Sequence, residues 1–163
     1  MSVAKKKSKT ILPSDRLTSL IVSAIASSVR SDHNGFRHHN FSPEFGISDL
    51  VPQYSGGLGV LAGDHLKAAS DLRLSLGAVG LFYHRGFFLQ EVDDGVQTEH
   101  FETYDARDLG CVDTGVEVTV PIADHEVSAR VWRLDVGRVP LLLLDTDIPA
   151  NDDHDRAITD RLY

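Results

Sequence analysis

Tyr54-Ser-Gly-Gly-Leu-Gly-Val-Leu-Ala-Gly-Asp-His-Leu-Lys67 sets three glycines immediately ahead of a helical pattern. Gly56, Gly57 and Gly59 let the backbone approach a ligand closely and take positive φ. Leu61, Leu66, Ala69 and Leu72 then share a broad apolar face, which predicts a helix over residues 58–73. The amides that open such a helix lack partners and sit at the positive end of its dipole. That end is an anion site, most naturally for phosphate. A turn whose glycines only permit tight packing has the same spacing, so the pattern alone leaves both readings open. Gly57-Leu-Gly59-Val-Leu-Ala62 also fits the dinucleotide pattern G-x-G-x-x-[G/A]. Its context is wrong: Leu50-Val-Pro-Gln-Tyr-Ser55 is no buried strand, and no acid follows Tyr83-His84-Arg85 to hold a ribose. Without Gly-Lys-Ser/Thr the P-loop pattern fails too.

Downstream, the mostly apolar run at residues 76–83 reads as a buried strand. Residues 86–92 lead to Asp93-Asp94-Gly95, a hairpin turn signal. Residues 116–121 and 127–136 alternate apolar and polar, and residues 139–144 form another apolar run. Residues 152–163 begin with acids that suit a helix start. Upstream, residues 41–47 read as a short strand interrupted by Pro43. Strands alternating with helical pattern make the body mixed α/β.

Residues 1–40 form a separate piece. Lys5, Lys6, Lys7, Lys9, Arg16, Arg30 and Arg37 outnumber Asp15 and Asp32 by five, so residues 40–163 carry −13 of a total of −8. Leu17, Leu20, Ile21, Ala24, Ile25 and Val29 follow helical spacing after Ser14, a suitable N-cap, and predict an amphipathic helix over residues 14–30. A secretory or organelle-targeting leader competes for this segment. Its apolar stretch is short and broken by Thr18, Ser19 and Ser23, so a cytoplasmic location is the expectation. No stretch approaches the roughly 20 apolar residues of a membrane span. At 163 residues the chain suits one compact domain. Net acidity argues against nucleic-acid or anionic-membrane partners. The lone Cys111 excludes an intramolecular disulfide framework and Cys-rich zinc modules.

Phe41-Ser-Pro-Glu-Phe-Gly-Ile47, the stretch from Tyr54 to Leu72, and Leu81-Phe-Tyr-His-Arg-Gly-Phe-Phe-Leu-Gln90 resemble the N-terminal domain of bacterial α-glucan phosphorylases. Asp145-Thr-Asp147 and Asp155-Arg-Ala-Ile-Thr-Asp-Arg-Leu-Tyr163 resemble its next landmarks, in order. The resemblance covers residues 41–163. It implies an incomplete Rossmann-like domain, one half of a two-domain glycosyltransferase fold. The implied reaction is phosphorolysis of the terminal α-1,4 bond of a glucan by inorganic phosphate, giving glucose 1-phosphate. The family uses pyridoxal phosphate, whose phosphate group acts as the acid–base. The backbone at Gly56, Gly57, Leu58 and Gly59 is implied to line the phosphate side of the cleft. No residue here corresponds to the cofactor-anchoring lysine of the family's other domain. The isolated chain is therefore expected to be inactive, with no catalytic residue of its own. The alternative is a non-catalytic module that binds phosphate or a glucan end. Uncovered sheet edges and apolar faces, such as residues 76–83 and 139–144, are expected to promote association.

The remaining clusters read more plainly. Pro149, Ala150 and Arg156 break a calcium-loop pattern among Asp145, Asp147, Asp152, Asp153 and Asp155, leaving strand-end and helix-start acids. His38 and His39 lack a third ligand, so no metal site is expected. His65 reads as a surface helix position and Cys111 as a neutral thiol.

Overall fold

A computed structural model describes residues 36–93, 95–122 and 125–162. The helix expected at residues 14–30 lies outside the described residues, as does nearly all of the separate piece at residues 1–40.

The described chain runs β1 (His38–Phe41), α1 (Gly57–Asp71), β2 (Leu76–Leu81), β3 (Leu89–Asp93), β4 (Val96–His100), β5 (Val112–Ile122), β6 (His125–Val136), β7 (Val139–Asp145) and α2 (Asp153–Arg156). A 3-10 turn, Ala157–Thr159, follows. Five strands form one mixed sheet in the order β1-β2-β7-β6-β5. β1, β2 and β7 are mutually parallel, and β6 is antiparallel to both β7 and β5. β3 and β4 make a separate exposed hairpin at the expected turn, where Gly95 has φ +76°.

The apolar runs at 76–83 and 139–144 become the sheet's interior. β7 is flanked by β2 and β6, and β2 by β1 and β7. This corrects the edge part of the expectation for those two runs, which lie inside the sheet. The strand expected at 41–47 is displaced to His38–Phe41. Ser42 still donates its amide to Val79 O, but Pro43 has no amide to continue the ladder. The chain then turns inward, burying Glu44 and Phe45.

Helix α1 covers one face of the sheet. Its buried row is Gly59, Ala62, Gly63, Leu66 and Ala69, against Leu76, Ala78, Trp132, Leu141 and Leu143. Leu61 and Leu72, assigned to that row from spacing, are instead 71% and 70% exposed. The helix is rotated because its smallest residues approach the 44–46 segment. Gly46 N donates to Gly59 O at 2.7 Å, and a Cβ on Gly63 would lie 2.1 Å from Gly46 O. Leu66, with no exposed surface, is the main apolar anchor; burying such a side chain stabilises by about 1.5–3 kcal/mol. The opposite face carries a second cluster: Val79, Val118, Ala129, Val131 and Leu142.

Candidate functional site

The parallel strands fix where a site belongs. In open α/β sheets ligands settle beyond the carboxyl ends of the strands. Ser70, near the C-terminal end of α1, accepts a hydrogen bond from Arg138 N at the start of β7. The N-terminus of α1 therefore points toward the edge where β1, β2 and β7 end. Two groups meet that edge: the glycine loop, and a polar cluster at the ends of β2 and β7.

The loop residues do not all serve the same purpose. Gly56 is the N-cap of α1, with φ −155° and ψ −162°, and no side chain caps it. That is extended backbone any residue adopts, so the positive φ expected from the sequence is absent at this loop. A Cβ added to Gly56 or Gly57 would meet open space. A Cβ added to Gly59 would lie 2.4 Å from Tyr54 Cβ and 3.1 Å from Glu44 Oε2. Gly59 thus serves close packing, as does Gly63, while Gly56 and Gly57 leave the helix end open. The tight-packing reading of the glycine pattern holds at Gly59 and Gly63. Glu44 was not foreseen. It is 3% exposed and accepts from Ser55 N at 2.8 Å, which ties down the approach to the helix.

The second group centres on Asp145, the last residue of β7. Its Oδ1 accepts from His84 Nε2 at 2.9 Å and from the Asp147 amide at 2.9 Å. Its Oδ2 accepts from Trp132 Nε1 at 3.0 Å. Burial pushes the Asp145 carboxyl up, but the bonds from His84, Trp132 and Asp147 N prevail and hold it below the ordinary range. The bond to Asp145 raises His84 above its ordinary 6.5, against the opposing effect of its own burial. Arg156 pairs with Asp147 at 2.6 Å, and Arg85 pairs with Asp160. His84, Asp147, Asp153, Arg156, Ala157 and Asp160 line a cleft of about 340 Å³. Three carboxylates against one guanidinium and one imidazole make it a poor anion site. Its existence was signalled by polar residues placed directly after two apolar runs, His84-Arg85 and Asp145.

The other candidates resolve simply. Asp152 caps α2, accepting from His154 N and Asp155 N, so these acids open a helix as expected. Among the described residues no group of three His, Cys, Asp or Glu side chains could hold a metal. His65 bonds Asn40 at an exposed position. Cys111 is buried, and burial pushes its thiol up to about 11.

No protein-family model matches the chain. Over 131 residues it is 51% identical to glycogen phosphorylase from Mycobacterium tuberculosis, an alignment covering 76% of this chain and 15% of that protein. The chain is a partial homologue of the α-glucan phosphorylases. It is also 50% identical over 127 residues to maltodextrin phosphorylase from Thermococcus litoralis, covering 74% of this chain and 15% of the relative. Against glycogen phosphorylase from Aquifex aeolicus it is 37% identical over 130 residues, covering 75% and 19%. The chain thus spans less than a fifth of the length of these phosphorylases.

The phosphorylase family uses pyridoxal phosphate. Lys67 is the lysine among the described residues, and it does not fit an anchoring role. Its ammonium reaches Gly46 O at 3.4 Å and Asp64 at 3.5 Å, with the side chain 46% exposed. It stands more than two turns along α1 from the open end. Among the described residues no helix is long and apolar enough to cross a membrane.

Proposed function

We propose that this chain forms one wall of an α-glucan phosphorylase cleft, an incomplete Rossmann-like half whose amides at Gly56, Gly57, Leu58 and Gly59 face the substrate phosphate. The reading rests on homology to glycogen and maltodextrin phosphorylases joined to one observation: α1 opens on two unobstructed glycines with no side-chain cap. A phosphate oxygen there accepts hydrogen bonds from the amides that open the helix, for which Gly56 supplies no side-chain cap. The reaction served is phosphorolysis of a terminal α-1,4-glucan bond to glucose 1-phosphate, in the cytoplasm. Electrostatic catalysis needs preorganised groups on both sides of the reacting atoms. One wall alone gives no turnover, and pyridoxal phosphate finds no anchor in it.

Affinity should be low. An exposed helix terminus is worth about 0.3–1 kcal/mol to an anion, and buried Glu44 beside the loop opposes a second negative charge. Millimolar binding, about −4 kcal/mol, is the expected limit. Titration of the parent chain and Gly57→Val with inorganic phosphate tests this. Open space at position 57 lets the valine fold while its side chain blocks the amides. Loss of binding by tenfold or more is expected, and equal binding by both chains would remove the loop from the site. Sub-millimolar affinity in the parent would instead favour the alternative, a binding module that needs no second wall.

A further inference from the structure

The end of α1 that opens the glycine loop has a negative charge of the protein's own beside it. A helix opening is commonly complemented by an acid in its own first turn. α1 has no acid there. The charge comes instead from Glu44, in the segment that folds back onto the helix. Glu44 Oε2 accepts from Ser55 N at 2.8 Å and from Ser55 Oγ at 3.4 Å. It stands 3.1 Å from the place a Cβ on Gly59 would take, so the carboxylate lies against the first turn of α1. The amides of Gly57, Leu58 and Gly59 belong to that same turn, in which each residue rises only about 1.5 Å.

That charge is fixed in place. Ser42 Oγ donates to the Glu44 carbonyl at 2.7 Å, and Phe45 N donates to Gln53 O at 3.3 Å. With Glu44 3% exposed, its carboxylate does not swing out into water when a ligand arrives. A charge held away from water acts more strongly on its neighbours than one on the surface. The titratable neighbours are Tyr54 ahead of α1, Asp64, His65 and Lys67 along it, and Tyr83, which bonds Gln53. Lys67 reaches the carbonyl of Gly46 rather than the loop.

We infer, resting on the phosphorylase reading above, that Glu44 is the specificity-determining residue of the glycine loop, which takes inorganic phosphate as the monoanion and discriminates against dianions. Both forms of phosphate offer bare oxygens to the amides, so the hydrogen bonds formed are much the same. The charge term separates them. The helix end is worth roughly half a positive charge, whereas the carboxylate carries a whole negative one. The fixed field over the loop therefore opposes the second negative charge of a dianion. A helix end acting without such a carboxylate favours the more negative ligand, so the sign of the preference distinguishes the two cases.

Titration of the full chain with phosphate and with sulfate, followed by amide NMR at about pH 5.5 and about pH 8 and at constant ionic strength, tests it. Phosphate passes from monoanion to dianion over this interval. Sulfate stays a dianion, so dividing by its affinity removes the protein's own titration. In the parent the phosphate-to-sulfate affinity ratio should fall at least about threefold from the lower pH to the higher. Glu44→Gln keeps an oxygen for Ser55 N while losing the charge. It should flatten or reverse that fall and strengthen sulfate binding. Asp64→Asn, which removes an exposed acid further along the same helix, should leave the fall intact. A ratio in the parent that is constant or rises with pH would overturn the inference and leave the loop a phosphate site. So would an equal fall in Glu44→Gln. Shifts at residues 56–59 in Glu44→Gln alone would sustain it, since the charge then excludes the anion. No shifts there with either anion in either chain would remove the phosphate site and the inference together. If Glu44→Gln does not fold, the parent's ratio still decides.

Discussion

Gly63 is the residue where the glycine pattern has its firmest physical reason. A methyl group there would meet the carbonyl of Gly46, a backbone atom that cannot rotate away. Gly63→Ala should cost about 1–3 kcal/mol, the usual range for overpacking, read as a lower midpoint in denaturant. Gly57→Ala meets open space and should leave stability unchanged or raise it by up to about 1 kcal/mol. The sequence spacing cannot separate these glycines, because the distinction depends on residues 44–46 folding back onto the helix. The contact between His84 and Asp145 was equally hidden, the two being 61 positions apart. Their pairing sets a pH dependence. His84 titrates above 6.5 in the fold, so its stabilising effect is complete below about pH 6.5 and fades as pH rises through the raised value. Asp145 titrates below 3.8, so its effect is present above that pH and fades as pH falls through the lowered value. An NMR titration of the His84 ring should give a midpoint above 6.5. Asp145→Asn should lower it, leaving burial opposed only by the charges of Asp147 and Asp160.

At the scale of elements, apolar continuity carried most of the fold. The runs behind β2 and β7 and the alternation behind β5 and β6 were readable because burial on one or both faces imposes those patterns. β1 was not readable at its true place. His38-His39-Asn40 has no strand signature, and its conformation comes from backbone pairing with β2. The broad helical face was misjudged at Leu61 and Leu72, since close approach through small residues turned α1 away from them. The two-residue link between β6 and β7 supplies a prediction of its own. Gly137 has φ +61°, and a Cβ there would lie 2.2 Å from Ser70 Oγ. Gly137→Ala should cost at least about 1 kcal/mol from the left-handed conformation. Ser70 must also give up its bond from Arg138 N. A second substitution, Ser70→Ala, should recover part of the steric loss, measurable as non-additivity in a double-mutant cycle.

For the whole molecule, the outermost strands of the sheet among the described residues are β1 and β5. β1 is four residues long, and β5 carries Pro121 and a register shift between Asp113 and Glu117. Short, bulged and proline-bearing edges resist pairing. Sedimentation over a wide concentration range should therefore show a monomer, whereas the sequence suggested association through runs that are interior. A dimer growing with concentration would show those edges in use. Incubation with pyridoxal phosphate should leave no borohydride-reducible adduct at Lys67, given its surroundings. A stoichiometric adduct there would contradict the assignment of this chain to the wall without the cofactor. The most direct measurement is an amide NMR map of the 163-residue chain during titration with inorganic phosphate. The largest shifts are expected at Gly56, Gly57, Leu58 and Gly59. Shifts centred instead on the His84, Asp147 and Arg156 cleft would contradict it.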